Sequence, residues 1–179
     1  MNEFRLRPVA PGFTLLEVLI AIVVVAFGLL GLAGLQAFAL KNNQSASLRV
    51  NAANLTSEIV DRMKSNYIGV VNGNYNQPTT AAYGGTGAAG CTNATGCTPL
   101  ELAQFDLIQW QNRVAATLPG GVGIVCLDST PSDSGTTPAA PACDNVGATL
   151  YTVKIWWYDD RTQANIAGTR KYLYTAFNP

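Results

Sequence analysis

Histidine is missing from all 179 residues. With it go the side chain most often used as a general base near neutral pH and the commonest metal ligand. Charge is scarce too: 11 basic and 11 acidic side chains leave no net charge, so there is no basic footprint for a nucleic-acid backbone. Proline does not occur from position 12 to position 77, and nothing in that stretch forces a helix to break. No enzymatic activity, cofactor, metal or nucleic-acid partner is expected from such a chain.

What the chain has in abundance is an apolar run, GFTLLEVLIAIVVVAFGLLGLAGLQAFAL, over residues 12–40, interrupted by one carboxylate, Glu17. As a helix rising about 1.5 Å per residue, residues 13–40 exceed the roughly 30 Å hydrocarbon core of a bilayer. A carboxylate in such a run costs at least about 2.5 kcal/mol in lipid and calls for a partner. A secretory signal peptide is a poor fit, because the apolar part is too long and QAFALKNNQ offers no small-residue cleavage site. A plain signal anchor fits better, but it leaves the abrupt junction unexplained. The basic leader MNEFRLRPVAPG ends in the helix breakers Pro11 and Gly12, and FTLLEVL follows at once.

Gly12, Phe13, Thr14, Leu15, Leu16 and Glu17 together resemble the class III signal of type IV prepilins. The resemblance implies that prepilin peptidase cuts after Gly12, that the new N-terminus at Phe13 is methylated, and that Glu17 serves assembly by meeting the N-terminal amine of a neighbouring subunit. Arg5 and Arg7 precede the run and keep the N-terminus cytoplasmic by the positive-inside rule. Residues 1–12 are then a cleaved leader, residues 13–40 a transmembrane and assembly helix, and residues 41–179 a periplasmic head. Gly28, Gly31 and Gly34 let helix backbones approach closely, mark a segment that extends on leaving the bilayer, or simply reflect the glycine content of membrane helices. Many major pilins carry a proline in this stretch, and here the chain departs from them.

Beyond Lys41, Leu48, Ala52, Leu55, Ile59 and Met63 form one apolar stripe, opposite a polar face with Arg49, Asn54, Glu58, Asp61 and Lys64. A single helix over residues 14–66 is predicted, membrane-embedded first and amphipathic second. Periodicity disappears over residues 69–99, a loop region rich in Gly, Asn, Thr and Ala. Gly85, Gly87 and Gly90 there satisfy G-x-G-x-x-G, but no strand precedes them and no helix follows, so a dinucleotide site is not expected. Asn93-Ala94-Thr95 is a formal glycosylation sequon of little weight. Thr98-Pro99-Leu100-Glu101 reads as a capping box opening a second helix, with Ala103, Leu107, Trp110, Val114 and Leu118 on its buried stripe. Strands are expected at 122–127, 149–158 and 171–177, the last two joined by a hairpin. The fold class is therefore α+β: a long N-terminal helix laid on a small antiparallel sheet.

Cys91, Cys97, Cys126 and Cys143 all lie beyond the anchor, where an even number suggests disulfides in an oxidising compartment. Neighbour pairing, Cys91 with Cys97 and Cys126 with Cys143, is one of three connectivities. A four-cysteine zinc site is the rival, and its spacing does not suit the metal.

The segments WQNRVAATLPGGVGIVCLD and YTVKIWWYDD, joined to the prepilin signal, resemble the type IV pilus modification (PilV) family of minor pilins. That resemblance implies a subunit that primes or modifies pilus assembly in a minor-pilin complex at the tip. Its partners are prepilin peptidase, other minor pilins, the major pilin, the inner-membrane assembly platform and the lipid bilayer. A type II secretion pseudopilin shares the same signal and head, and a tip adhesin or DNA-binding module is the alternative of another class. Tyr67, Tyr75 and Tyr83 near the loops are the aromatics such a module could expose.

Overall fold

A computed structural model describes residues 12–78, 91, 96–133, 137–146, 150–159 and 170–178. Two compact units divide the chain, Met1–Asn43 and Gln44–Pro179. The chain's first helix, α1 (Leu15–Ser65), runs through both. In the first unit every described side chain of α1 is exposed, and its apolar residues meet no core.

In the second unit the stripe read from the sequence, Leu48, Ala52, Leu55, Ile59 and Met63, is buried, and Thr56 and Val60 are buried beside it. Thr56 is accommodated there because its hydroxyl donates to the Ala52 carbonyl at 2.9 Å, which satisfies the one polar group the apolar face would otherwise strand. The helix stops at Ser65, one residue short of the expected end, where Asn66 leaves helical geometry with φ −110° and ψ 56°. Asn66 caps a short helix, α2 (Tyr67–Val71), where a loop was expected from residue 69. Its carboxamide accepts from the Gly69 amide at 3.3 Å and donates to the Tyr75 hydroxyl at 3.1 Å and the Pro99 carbonyl at 2.8 Å. A Cβ at Gly69 would collide with that carboxamide, so the glycine that looks like a loop residue instead makes room for the cap.

The next helix, α3 (Pro99–Thr117), opens on the expected capping box. The Glu101 amide donates to Thr98 Oγ1 at 3.3 Å, and the Thr98 amide donates to Glu101 Oε2 at 2.8 Å. Ala103, Leu107, Trp110 and Val114 are buried, and Trp110 Nε1 donates to the Leu55 carbonyl at 2.8 Å. That bond ties α3 to the head-side half of α1.

Three antiparallel strands, β1 (Val122–Leu127), β2 (Tyr151–Trp157) and β3 (Lys171–Phe177), form the sheet in that order. Val125 pairs with Val153, and Val153 with Thr175. The central strand is buried at all seven positions, so both of its faces are covered. Tyr151, Val153, Ile155 and Trp157 join the helices in the main core, whereas Trp156 joins Ile124 and Cys126 in a smaller cluster with Cys143 and Tyr172 beside it. Alternation along the strand assigns these two sets to opposite faces. The leader up to Pro11, the Gly85, Gly87 and Gly90 motif, Tyr83, the Asn93 sequon and most of the connection before β3 lie outside the described residues.

Candidate functional site

The start of α1 is organised by Thr14. Gly12, Phe13 and Thr14 precede the helix, and Leu15 is its first residue. The Thr14 carbonyl accepts from the amides of Glu17 at 3.1 Å and Val18 at 3.4 Å, and its hydroxyl accepts from the Glu17 amide at 3.3 Å. Thr14 is therefore the N-cap and Glu17 the third helical residue. At that position a carboxylate lies within the first turn, where the helix dipole favours negative charge by about 0.3 to 1 kcal/mol at a surface.

Glu17 stands at the edge of an apolar surface. Phe13, Glu17, Val18, Ala21, Ile22 and Val25 border one shallow groove along the helix. Phe13 is 84 % exposed. An 18-residue window of α1 reaches a mean hydropathy of 2.9 with none of it buried. So much uncovered apolar surface calls for lipid or for other apolar helices, and length and hydropathy fit membrane anchoring. Among the described residues, added Cβ atoms at Gly12, Gly28, Gly31 and Gly34 would meet nothing within 4 Å.

In the second unit, Cys91 is bonded to Cys97 and Cys126 to Cys143, with Cα–Cα distances of 4.8 and 6.1 Å. These bonds use all four sulfurs. The second bond fastens the segment 137–146 to β1, and hydrogen bonds from a buried, ion-paired lysine fasten it to β2. Lys154 Nζ lies 2.5 Å from Asp128 Oδ2, with both side chains fully buried, and donates to the carbonyls of Pro141 at 2.7 Å and Ala142 at 3.1 Å. An ammonium with three acceptors is a satisfied buried charge. Asp144 accepts from the Ser129 hydroxyl and from the amides of Ser129 and Val146, and these bonds, the hydroxyl's first, hold its carboxyl below the usual carboxylate range.

A second polar network ties the helices together. Arg62 bridges Glu58 and Asp106, both at 3.0 Å, and Arg113 meets Glu58 at 2.8 Å. The Tyr75 hydroxyl donates to Asp106 Oδ2 at 2.7 Å. Burial, then the hydrogen bond to Asp106, pushes the Tyr75 hydroxyl well above the usual tyrosine range. Glu101 is held below its usual range, first by the Thr98 amide and then by the Thr98 hydroxyl. Each group is occupied by its neighbours, and among the described residues no cluster of His, Cys, Asp or Glu is arranged to hold a metal ion.

The geometry thus places Gly12, Phe13 and Glu17 within one helical start and the four cysteines in the head. Of the tyrosines near the loops, Tyr75 is fully buried and Tyr67 is 61 % exposed. Two ionic features escaped the sequence reading. Lys154 in YTVKIWW was the available signal for one, since a lysine inside a buried strand demands a carboxylate. Asp106, on the buried side of α3 beside Leu107, was the signal for the other.

Residues 10–33 match the prokaryotic N-terminal methylation motif, and residues 34–108 match the family described as Type IV pilin Tt1218. No curated protein and no solved structure matches the chain significantly. The first match covers the capped helix start and Glu17. The second covers the rest of α1, α2 and the opening of α3. The motif implies processing by prepilin peptidase and assembly with other pilins, and the pilin family is structural in its role. With a head in which the Leu48–Met63 face of α1 and the helix α3 share one core with a three-stranded antiparallel sheet, the chain is similar to type IV pilins over residues 34–108 and carries a prepilin methylation motif.

Proposed function

We propose that this chain is a minor pilin subunit that primes or modifies type IV pilus assembly in a minor-pilin complex at the pilus tip. The observation that carries the reading is the start of α1, where a single carboxylate, Glu17, stands in the first turn of an apolar helical stretch that is exposed throughout the first unit. In this reading the leader is cut after Gly12, Phe13 is N-methylated, and Glu17 pairs with the amine of an adjacent subunit. Residues 13–40 wait in the inner membrane with the N-terminus cytoplasmic, and the head from residue 41 is periplasmic, where both disulfides stabilise it. The partners are the peptidase, other minor pilins, the major pilin and the inner-membrane platform.

The minor role draws on the resemblance of the LPGG and WWYD segments to pilus modification proteins. A type II secretion pseudopilin has the same signal and the same kind of head, so the two differ in the machine they serve. Deleting the gene separates them: loss of twitching and surface piliation with intact protein secretion supports the proposal. Lost secretion with normal piliation overturns it in favour of the pseudopilin, and normal levels of both overturn the assembly role.

A further inference from the structure

We infer that Thr14 governs the rate of leader removal, by capping α1 so that the Gly12–Phe13 bond is held outside the helix. The inference rests on the reading of that bond as the cleavage site. In the reaction water adds across the peptide bond, leaving a carboxylate on Gly12 and an amine on Phe13. A peptide unit within an α-helix is closed into hydrogen-bonded rings on either side, and a hydrolase must open those rings before it can reach the carbonyl. A scissile bond already outside the helix escapes that cost.

Three observations assign the role to Thr14. Its hydroxyl and carbonyl both accept from the Glu17 amide, at 3.3 and 3.1 Å, which is the hydrogen bonding of an N-cap. Gly12 and Phe13 lie ahead of the first helical residue, Leu15. Phe13, immediately before the cap, borders the same groove as Val18, the fourth helical residue, the pairing by which a hydrophobic staple fixes how the chain enters its helix.

The sequence also contains a competing start. Proline is favoured as the first residue of a helix, and a helix begun at Pro11 would enclose Gly12 and Phe13. Gly12 opposes that register through its backbone entropy, and the Thr14 cap opposes it through a hydrogen bond available only when the helix starts at Leu15. Glu17, as the third helical residue, contributes the amide that the cap satisfies.

The test uses the full-length chain in lipid vesicles with purified prepilin peptidase, following the initial rate of leader loss by intact mass. Thr14→Val and Thr14→Ala remove the cap, whereas Thr14→Ser and Thr14→Asn keep one. The expected result is a rate about fivefold lower for the Val and Ala variants, the equivalent of about 1 kcal/mol of lost capping. Ser and Asn should stay within about twofold of wild type. Circular dichroism and a non-reducing disulfide map confirm in each case that the chain is folded. Equal rates for all five proteins overturn the inference. A slow Asn variant beside a fast Ser variant also overturns it, since the peptidase would then be reading the hydroxyl directly. If the wild type keeps its leader, the cleavage reading itself fails, and the inference falls with it.

Discussion

Lys154 and Asp128 meet at 2.5 Å with neither side chain open to solvent, and the same ammonium holds the carbonyls of Pro141 and Ala142. One charge therefore serves as the anchor for a segment with little apolar side chain of its own to bury. Removing one member leaves the other charged and unpaired in the core, at a cost of about 3 to 5 kcal/mol. Lys154→Met should lower the urea midpoint of unfolding sharply. Replacing the pair together, Lys154→Met with Asp128→Leu, should recover much of the loss, although Pro141 and Ala142 would lose their donor. Equal losses in the single and double variants would show that the charge pairing itself contributes little.

Tyr75 makes the head sensitive to alkali. Its hydroxyl is buried and donates to Asp106, so its proton is held more tightly in the folded chain than in the unfolded one, which titrates near 10. Between those two values the folded state binds more protons, and stability falls as pH rises. The contribution is fully present below about pH 10 and is lost above it. Unfolding midpoints measured from pH 8 to 11 should fall more steeply in wild type than in Tyr75→Phe. Parallel curves would refute the assignment, because lysines and the other tyrosines titrate in both proteins.

Gly123 lies where β1 crosses the indole of Trp110, and a Cβ there would overlap the ring. Trp110 cannot retreat without giving up its bond to the Leu55 carbonyl. Gly123→Ala should destabilise the head by about 1 to 3 kcal/mol, as overpacking does, with a shift in tryptophan fluorescence. A thermal midpoint equal to wild type would mean that the strand relaxes freely at this point.

The disulfide between Cys126 and Cys143 spans a sequence separation of 17. By the chain-entropy relation, closing a loop of that size stabilises by about 3 kcal/mol. Peptide mapping without reductant should link Cys126 to Cys143 and Cys91 to Cys97. The double variant Cys126→Ser, Cys143→Ser should lose most of that stability while Lys154 still holds the segment. Alkylation of four thiols in protein isolated without reductant would contradict both bonds.

Helices and strands were legible wherever a local pattern carried them. The stripe from Leu48 to Met63, the Thr98 capping box and the run from Lys171 to Phe177 each depend on neighbours within a few residues, and each lies where expected. What could not be read were features created by distant partners. Asn66 ends α1 and caps α2 because Tyr75 and Pro99 engage its carboxamide. Gly69, in composition a loop residue, lies within α2, where the Asn66 carboxamide occupies the space a side chain would need. The N-terminal signal was legible for a different reason: the residues named in it lie in one continuous segment, and no tertiary contact has to be guessed. Even so, the capping role of Thr14 emerged only with the backbone in view.

Glu17 stands at the third position of α1, bordered by Phe13, Val18 and Ala21 on a face with no other charge. In lipid or among other apolar helices its charge costs at least about 2.5 kcal/mol unless a cation is supplied. The amine freed at Phe13 of an adjacent subunit is the cation that the proposed assembly provides. Glu17→Ala removes the charge and its desolvation cost together, so the variant should insert, lose its leader and keep a folded head, whose core lies entirely in the second unit. Glu17→Gln separates charge from shape, since it retains the helix-start geometry and a hydrogen-bonding side chain but attracts no ammonium ion. Both variants, expressed in a strain lacking the native gene, should reach wild-type membrane levels and mature mass yet fail to support piliation. Glu17→Asp, one methylene shorter, should restore part of it. Full piliation by Glu17→Gln with normal incorporation would show that hydrogen bonding at the helix start, and not a charge pair, is what this position supplies. Low membrane levels of Glu17→Ala would instead assign it to insertion.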